Sequence, residues 1–256
     1  VKVLERFRGQ EVFTVGNTDP YVLTHPLSTR RMQLLEEAVA SVEGPFPENP
    51  ERAYWHERMR AKLSGFLEPP RRVLNRLEGA EADEPTLYAR AGALHRLPAP
   101  GDALAAVDRL IALRPEDPFY LELKGQILHE SGRAQQAVPY YRRAVSRAPE
   151  EPLVKAGLGR ALLALETPEA DREALEVLKD ARARDRGDPA ALRALATAYS
   201  RAGETGMATL ATAERFALTG RTEDAVLHAR RASKLLSEGS PGWLRAQDIL
   251  VLEPEG

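Results

Sequence analysis

The sequence predicts an all-α chain, a right-handed solenoid of about four helix–turn–helix repeats with a helical lead-in before it and a capping helix after it. Three observations carry this. Pro115 and Pro149 stand 34 residues apart and bracket an internal repeat. Alignment on them superimposes Ala91 on Gly125 and Ala103 on Ala137, the small residues needed where two helices cross, and then Val107 on Tyr141 and Leu110 on Ala144. Acid–proline pairs, Asp117-Pro118, Glu151-Pro152 and Asp188-Pro189, recur at the repeat starts. Proline suits the first helical position, where its missing N–H would be unsatisfied anyway, and the acid suits the positive end of the helix dipole.

Residues 1–27 read as irregular, with turn signals at Gly9, Gly16-Asn17 and Asp19-Pro20. Ser28 or Thr29 can cap a helix whose Met32, Leu35, Val39 and Val42 share one face, ended by Gly44-Pro45. Pro45 to Pro50 is a connector. A second helix runs from about Glu51 to Leu67, with Tyr54, Met59, Leu63 and Phe66 at helical spacing, until Pro69-Pro70 breaks it. A short helix carrying Val73, Leu74 and Leu77 and an acidic loop, Glu78 to Glu84, complete a lead-in over residues 1–83.

The repeat region is 84–256. The first repeat runs to about Asp117 and the second over 118–151. The third starts at Pro152, with Gly159, Ala174, Leu178 and Ala181 at its key sites and three extra residues around Thr167 to Arg172. The fourth starts at Pro189, with Leu192, Ala196 and Tyr199. Pro139 falls early in a second helix and should delay or kink it. Further helices are expected over Glu204–Thr219, ended by Gly220, and Glu223–Leu236, with Ala225, Ala229 and Ala232 as small sites. A last one, Pro241–Leu250 with Trp243, Leu244 and Ile249, reads as the cap of the stack. A 34-residue helix–turn–helix period with proline after the second helix is that of the tetratricopeptide repeat.

Composition narrows the function. Of 256 residues 43% are hydrophobic, enough for a continuous core, and 36 basic against 38 acidic residues leave a net charge of −2 without a basic stripe. Neither nucleic acid nor an anionic membrane is the expected partner. The absence of cysteine excludes disulfides, thiol catalysis and cysteine-based zinc sites. No apolar run approaches the roughly 20 residues that span a bilayer.

No catalytic constellation emerges. No two of His25, His56, His95, His129 and His228 lie four apart on one helix face, and HExxH is absent, so no metal site is expected in this chain. Gly157-Leu158-Gly159 lacks the third glycine and the preceding strand of a dinucleotide loop, and Gly159 already serves as a crossing residue. Ser28 is a helix cap without His and Asp partners. Function is therefore expected in the groove lined by the first helix of each repeat. Its positions hold Tyr88, Gly92 and His95, then Phe119, Glu122, Gln126 and His129, then Arg160, Arg193 and Thr197. That surface is aromatic and acidic early and basic later. It suits protein or peptide clients. All three asparagines precede the repeats, which argues against an asparagine-based clamp for a C-terminal carboxylate.

Particular segments resemble one family. Asp19-Pro20-Tyr21-Val22-Leu23-Thr24-His25-Pro26-Leu27-Ser28 with Arg31 is similar to the segment that follows the catalytic core of bacterial HExxH zinc metallopeptidases carrying a C-terminal tetratricopeptide array, relatives of the CAAX prenyl endopeptidases. Leu123 to Leu128, Glu130 to Arg133, Gly206-Met207-Ala208, Ala213-Glu214 and Gly239 to Arg245 resemble that array. The HExxH and its downstream glutamate ligand are missing here. The resemblance implies a catalytic domain, with its zinc, lying before Val1 in a parent protein, and a chain that itself holds substrates or assembly machinery in the periplasm. It places His25 nearest the absent core, within approach of that zinc. The competing expectation is a free-standing tetratricopeptide adaptor with no peptidase link and a cytoplasmic location.

Overall fold

The computed structural model describes residues 28–41, 49–97 and 99–252. Thirteen helices fill them and, among the described residues, there is no strand. Two compact units divide the chain, residues 1–52 and 53–256. The first contributes α1, Ser28–Ala40, whose Leu34, Leu35 and Val39 are exposed. His25 and the turns of residues 1–27 lie outside the described residues.

The second unit begins within the first turn of α2, Pro50–Leu67, which is followed by α3, Pro70–Arg76. Next come the helices of the array: α4 (Glu84–His95), α5 (Pro100–Leu113), α6 (Pro118–Glu130), α7 (Ala134–Arg147), α8 (Pro152–Leu163), α9 (Pro168–Arg184), α10 (Pro189–Arg201), α11 (Thr205–Leu218), α12 (Thr222–Leu235) and α13 (Pro241–Leu250). Each of these packs on its neighbour in sequence, the order expected of a solenoid.

Local chemistry explains the helix starts. Asp117 accepts hydrogen bonds from the N–H groups of Phe119 and Tyr120, and Asp188 from those of Ala190 and Ala191. Glu151, the third of the acid–proline pairs, makes no such bond. Its extra methylene carries the carboxylate past the first-turn amides, so glutamate keeps only the dipole contribution. Asp83, Thr167 and Ser240 cap α4, α9 and α13 in the same way as the aspartates. Pro139 does not delay its helix: α7 begins at Ala134 and runs through it. The proline is exposed, so water can take the carbonyl that its missing N–H leaves free.

Small residues set the helix crossings. Ala91, Ala103, Ala137 and Ala174 are fully buried. Tyr141 is fully buried too, gripped between two glycines: a Cβ at Gly125 would lie 2.8 Å from its ring and one at Gly157 only 2.4 Å. The ring of α7 therefore occupies space that α6 and α8 vacate by lacking side chains. At Gly159 a Cβ would meet Leu178 at 2.4 Å. The core is built by small residues receiving large ones, and close packing makes each such site intolerant of added volume.

The fourth repeat does not begin at Pro189. Were α10 and α11 a repeat, Ala196 and Ala208 would be its crossing residues, yet both are only partly buried. The fully buried alanines are instead Ala213 on α11 with Ala225, Ala229 and Ala232 on α12. Helix α11 thus plays the first-helix part, α12 the second, and α10 is an additional helix between the third repeat and the fourth. The contacts that skip a helix agree: α6 touches α8 and α8 touches α10, and the next such pair is α11 with α13. The switch is stapled by Glu214 on α11, which pairs with Arg182 of α9 at 3.2 Å and Arg245 of α13 at 3.0 Å.

Helix α13 closes the stack. Gly242 sits against Met207, Leu210 and Leu236, and Ala246 and Ile249 join the buried cluster of Leu210 and Phe216. Removing the chain from Pro241 onward uncovers this apolar surface, so the truncated protein should associate in solution. Light scattering after size exclusion checks this, and a monodisperse truncated monomer would show that α13 is dispensable.

Candidate functional site

The sequence places the groove along the first helix of each repeat, from Tyr88 to Thr197. Its first part is covered. Helix α2 lies over α4 and reaches α6. Gly65 touches the backbone of Ala89 and Gly92, where an added Cβ would meet the Ala89 carbonyl at 2.6 Å, and the Phe66 ring lies where a Gly92 side chain would go. Arg58 of α2 extends to Asp117, the cap of α6, and forms a two-pronged ion pair at 2.5 Å. The guanidinium lies within 6 Å of the ring centres of Tyr54, Trp55, Tyr88, Phe119 and Tyr120, closest to Tyr120 at 4.2 Å. Burial opposes the Arg58 charge, yet the hydrogen bonds and charge of Asp117 and the contact with Tyr120 outweigh it and push the pKa up.

Three of the expected groove residues, Tyr88, Gly92 and Phe119, are therefore not available on an open surface. Tyr88 is 2% exposed and packs edge-to-face on Tyr120. Phe119 stacks edge-to-face on Trp55, beneath Arg58. Both belong to the seat of α2. The apolar stripe Tyr54, Met59, Leu63, Phe66 misjudged which side of α2 faces inward: Arg58, Ala61 and Gly65 are buried, and Trp55, Met59 and Leu63 are about half exposed. Helical periodicity is weak in α2 because its buried side is chosen by an arginine and a glycine, which hydrophobic patterning ignores.

Beyond α2 the groove carries charge. His95 Nε2 lies 2.8 Å from a Glu130 oxygen, and the Gln126 amide donates to the same carboxylate at 2.9 Å. Glu122 lies beside them, its pKa raised chiefly by burial and further by Glu130, against the pull of Lys62 and Arg160. The four remaining predicted residues converge. His129 of α6, Arg160 of α8, and Arg193 and Thr197 of α10 line one cleft of about 650 Å³. Arg201, Arg215 and Glu166 also line it. Arg215 of α11 and Thr219, which caps its C-terminus, reach the cleft because the array changes phase there, a change with no local signal in the sequence. Glu166 occupies the turn between α8 and α9 with φ at 53°, the left-handed conformation that glycine adopts in the corresponding turns at Gly132 and Gly203.

A cavity of about 690 Å³ lies among α2, α3 and α4, lined by Leu63, Leu67, Arg76 and Pro85, and a smaller one of about 370 Å³ lies at the phase change, bounded by Lys179, Arg182, Arg186, Tyr199, Glu214 and Arg245. Three of its cations are engaged: Lys179 with Glu176, and Arg182 and Arg245 with Glu214. No helix among the described residues is long and apolar enough to cross a membrane.

These features, a helical stack with crossing glycines and alanines and a groove along its first helices, define a tetratricopeptide-repeat solenoid. A family model for the tetratricopeptide repeat matches residues 100–152 and again 122–189. No curated protein matches the chain. Among solved structures, MamA of MSR-1 is 20% identical with a TM-score of 0.51 over 65% of this chain and 97% of its own. MamA of AMB-1 is 18% identical with a TM-score of 0.50, covering 70% and 96%. MamA from Desulfovibrio magneticus RS-1 is 20% identical with a TM-score of 0.50, covering 59% and 84%. At these identities the likeness is one of fold.

Proposed function

We propose that this chain is a partner-recognition module that holds a segment of another protein in the cleft formed by α6, α8, α10 and α11. One observation carries the reading: His129, Arg160, Arg193 and Thr197, from the alternate helices α6, α8 and α10, face one open cleft of peptide-binding size after α2 has closed the groove beside them. Repeat solenoids use such extended faces for binding. A photoreactive amino acid placed at Thr197 should cross-link a partner in the source cells, and the same probe at Arg109, exposed on α5, should not. Equal labelling from both positions would refute the cleft as the binding site.

We further propose that the module is the recognition arm of an HExxH zinc metallopeptidase of the bacterial envelope, where it presents misassembled proteins or assembly machinery to a catalytic domain. The similarity of Asp19–Ser28 and Arg31 to the linker after such a core supports this. In that arrangement the zinc belongs to the catalytic domain, with His25 approaching it from the linker. The native protein, captured from its source cells, should have a mass well above 28 kDa and about one zinc per chain. A metal-free species near 28 kDa would make the chain an independent adaptor.

A further inference from the structure

The lining of the cleft selects among possible partners. Four arginines, Arg160, Arg193, Arg201 and Arg215, face it against one carboxylate, Glu166. Only Arg201 is neutralised, by Asp171 at 2.7 Å with Glu166 at 3.8 Å. Arg160, Arg193 and Arg215 have no carboxylate within salt-bridge distance among the described residues, and nearby Glu130 is held by His95 and Gln126. Elsewhere on the array arginines are routinely paired between successive repeats: Arg142 with Glu173, Arg147 with Glu116, Arg184 with Glu150. Three arginines without such a partner therefore converge on this one cleft.

A second observation is independent of the charge count. The Arg160 Nε and the His129 Nδ1 are both buried and have no hydrogen-bond partner. Buried polar atoms without partners are few in folded proteins, and each calls for an explanation. Both border this cleft. Burial, with the Arg160 charge beside it, holds the His129 pKa below its usual value, so at neutral pH its ring is uncharged and adds hydrogen-bonding capacity without adding charge.

We propose that the cleft takes an acidic segment of the partner protein, with Asp or Glu carboxylates seated on Arg160, Arg193 and Arg215. The proposal rests on the reading of this cleft as the binding site. Arginine suits the role because its planar fork grips a carboxylate at two points. The Glu130 carboxylate at the α6 side, kept ionised chiefly by its hydrogen bond with His95, disfavours an acidic segment at the covered end of the groove and favours α10 and α11.

The test is a phage-displayed random peptide library panned on the full chain. Recovered sequences should be enriched in Asp and Glu, and a synthetic recovered peptide should lose affinity about tenfold or more with Arg193→Glu, and with Asn and Gln in place of its own acids. Arg109→Glu, on α5, should leave affinity unchanged. Amidated and free-acid forms of the peptide distinguish side-chain carboxylates from a C-terminal one: equal binding assigns the side chains, and binding of the free acid alone overturns the internal-segment reading. Recovery of neutral peptides whose binding is lost with Thr197→Trp would overturn the acidic preference while leaving the cleft as a binding site. Binding unaffected by both Thr197→Trp and Arg193→Glu would overturn the cleft itself. Oligothymidylate displacing the peptide with tighter binding would overturn the protein partner in favour of nucleic acid.

Discussion

Replacing Arg58 with alanine should cost the folded protein about 3–5 kcal/mol, the penalty for leaving one member of a buried ion pair without its partner. The side chains of Arg58 and Asp117 are 6% and 11% exposed. Removing Arg58 strands that carboxylate without its counter-ion. Asp117 is already committed to the amides of Phe119 and Tyr120, so it cannot turn to solvent without uncapping α6. The loss should be local: α2 detaches and the remaining repeats stay folded, because a solenoid is held by nearest-neighbour interfaces. Hydrogen exchange should accelerate over residues 53–67 and the first turn of α6 and change little beyond α8. Adding Asp117→Asn should return part of the loss, since asparagine caps a helix about as well and removes the stranded charge. A cost under about 1 kcal/mol would show the pair to be nearly neutral in water-exchange terms, as exposed ion pairs are. The same variant bears on function, because release of α2 uncovers Tyr88, Gly92 and Phe119 and lengthens the groove.

Replacing Tyr141 with alanine should cost about 3–5 kcal/mol, as for other large buried aromatics. The more discriminating result concerns its neighbour. Gly157→Ala improves helix propensity by about 1 kcal/mol. Its Cβ, however, falls 2.4 Å from Tyr141 Cε1, and overpacking of that kind costs about 1–3 kcal/mol. The substitution should therefore be destabilising in the native background. In Tyr141→Ala the obstructing ring is gone, and Gly157→Ala should become stabilising. Denaturant unfolding of the four members of this double-mutant cycle measures the reversal. If Gly157→Ala stabilises both backgrounds, the helices can separate slightly to admit a methyl group and the glycine is not required by the tyrosine.

The array was legible in the sequence where its signals are local. A 34-residue spacing of prolines, aspartates ahead of prolines and alanines at fixed intervals are consequences of helix geometry and capping, and each is readable within one or two turns. The small site at Gly125 and the large apolar site at Tyr141 followed from the same register, and their contact came from the packing. The signals misled where two arrangements share them. Asp188-Pro189 starts α10 just as Asp117-Pro118 starts α6, with equivalent caps. A cap marks the beginning of a helix and carries no information on whether the next helix is its repeat partner. Only the burial of Ala213, Ala225, Ala229 and Ala232, against partial exposure of Ala196 and Ala208, places the fourth repeat on α11 and α12.

The groove divides in the same way. Its basic half was readable from Arg160, Arg193 and Thr197 because first-helix positions project to one side at a fixed period. The loss of its aromatic half was not readable. Arg58 and Asp117 are 59 residues apart in sequence, and nothing local to either announces the other. The sequence by itself determined a tetratricopeptide solenoid, its repeat length, its helix starts and a charge change along its groove. The tertiary structure alone decided that a lead-in helix covers the first repeats, that an extra helix shifts the phase, and that Arg215 joins Arg160 and Arg193 in one cleft. The physical reason is that helix formation and register are set within a few turns of chain, whereas occupancy of a groove depends on which distant surfaces bury one another.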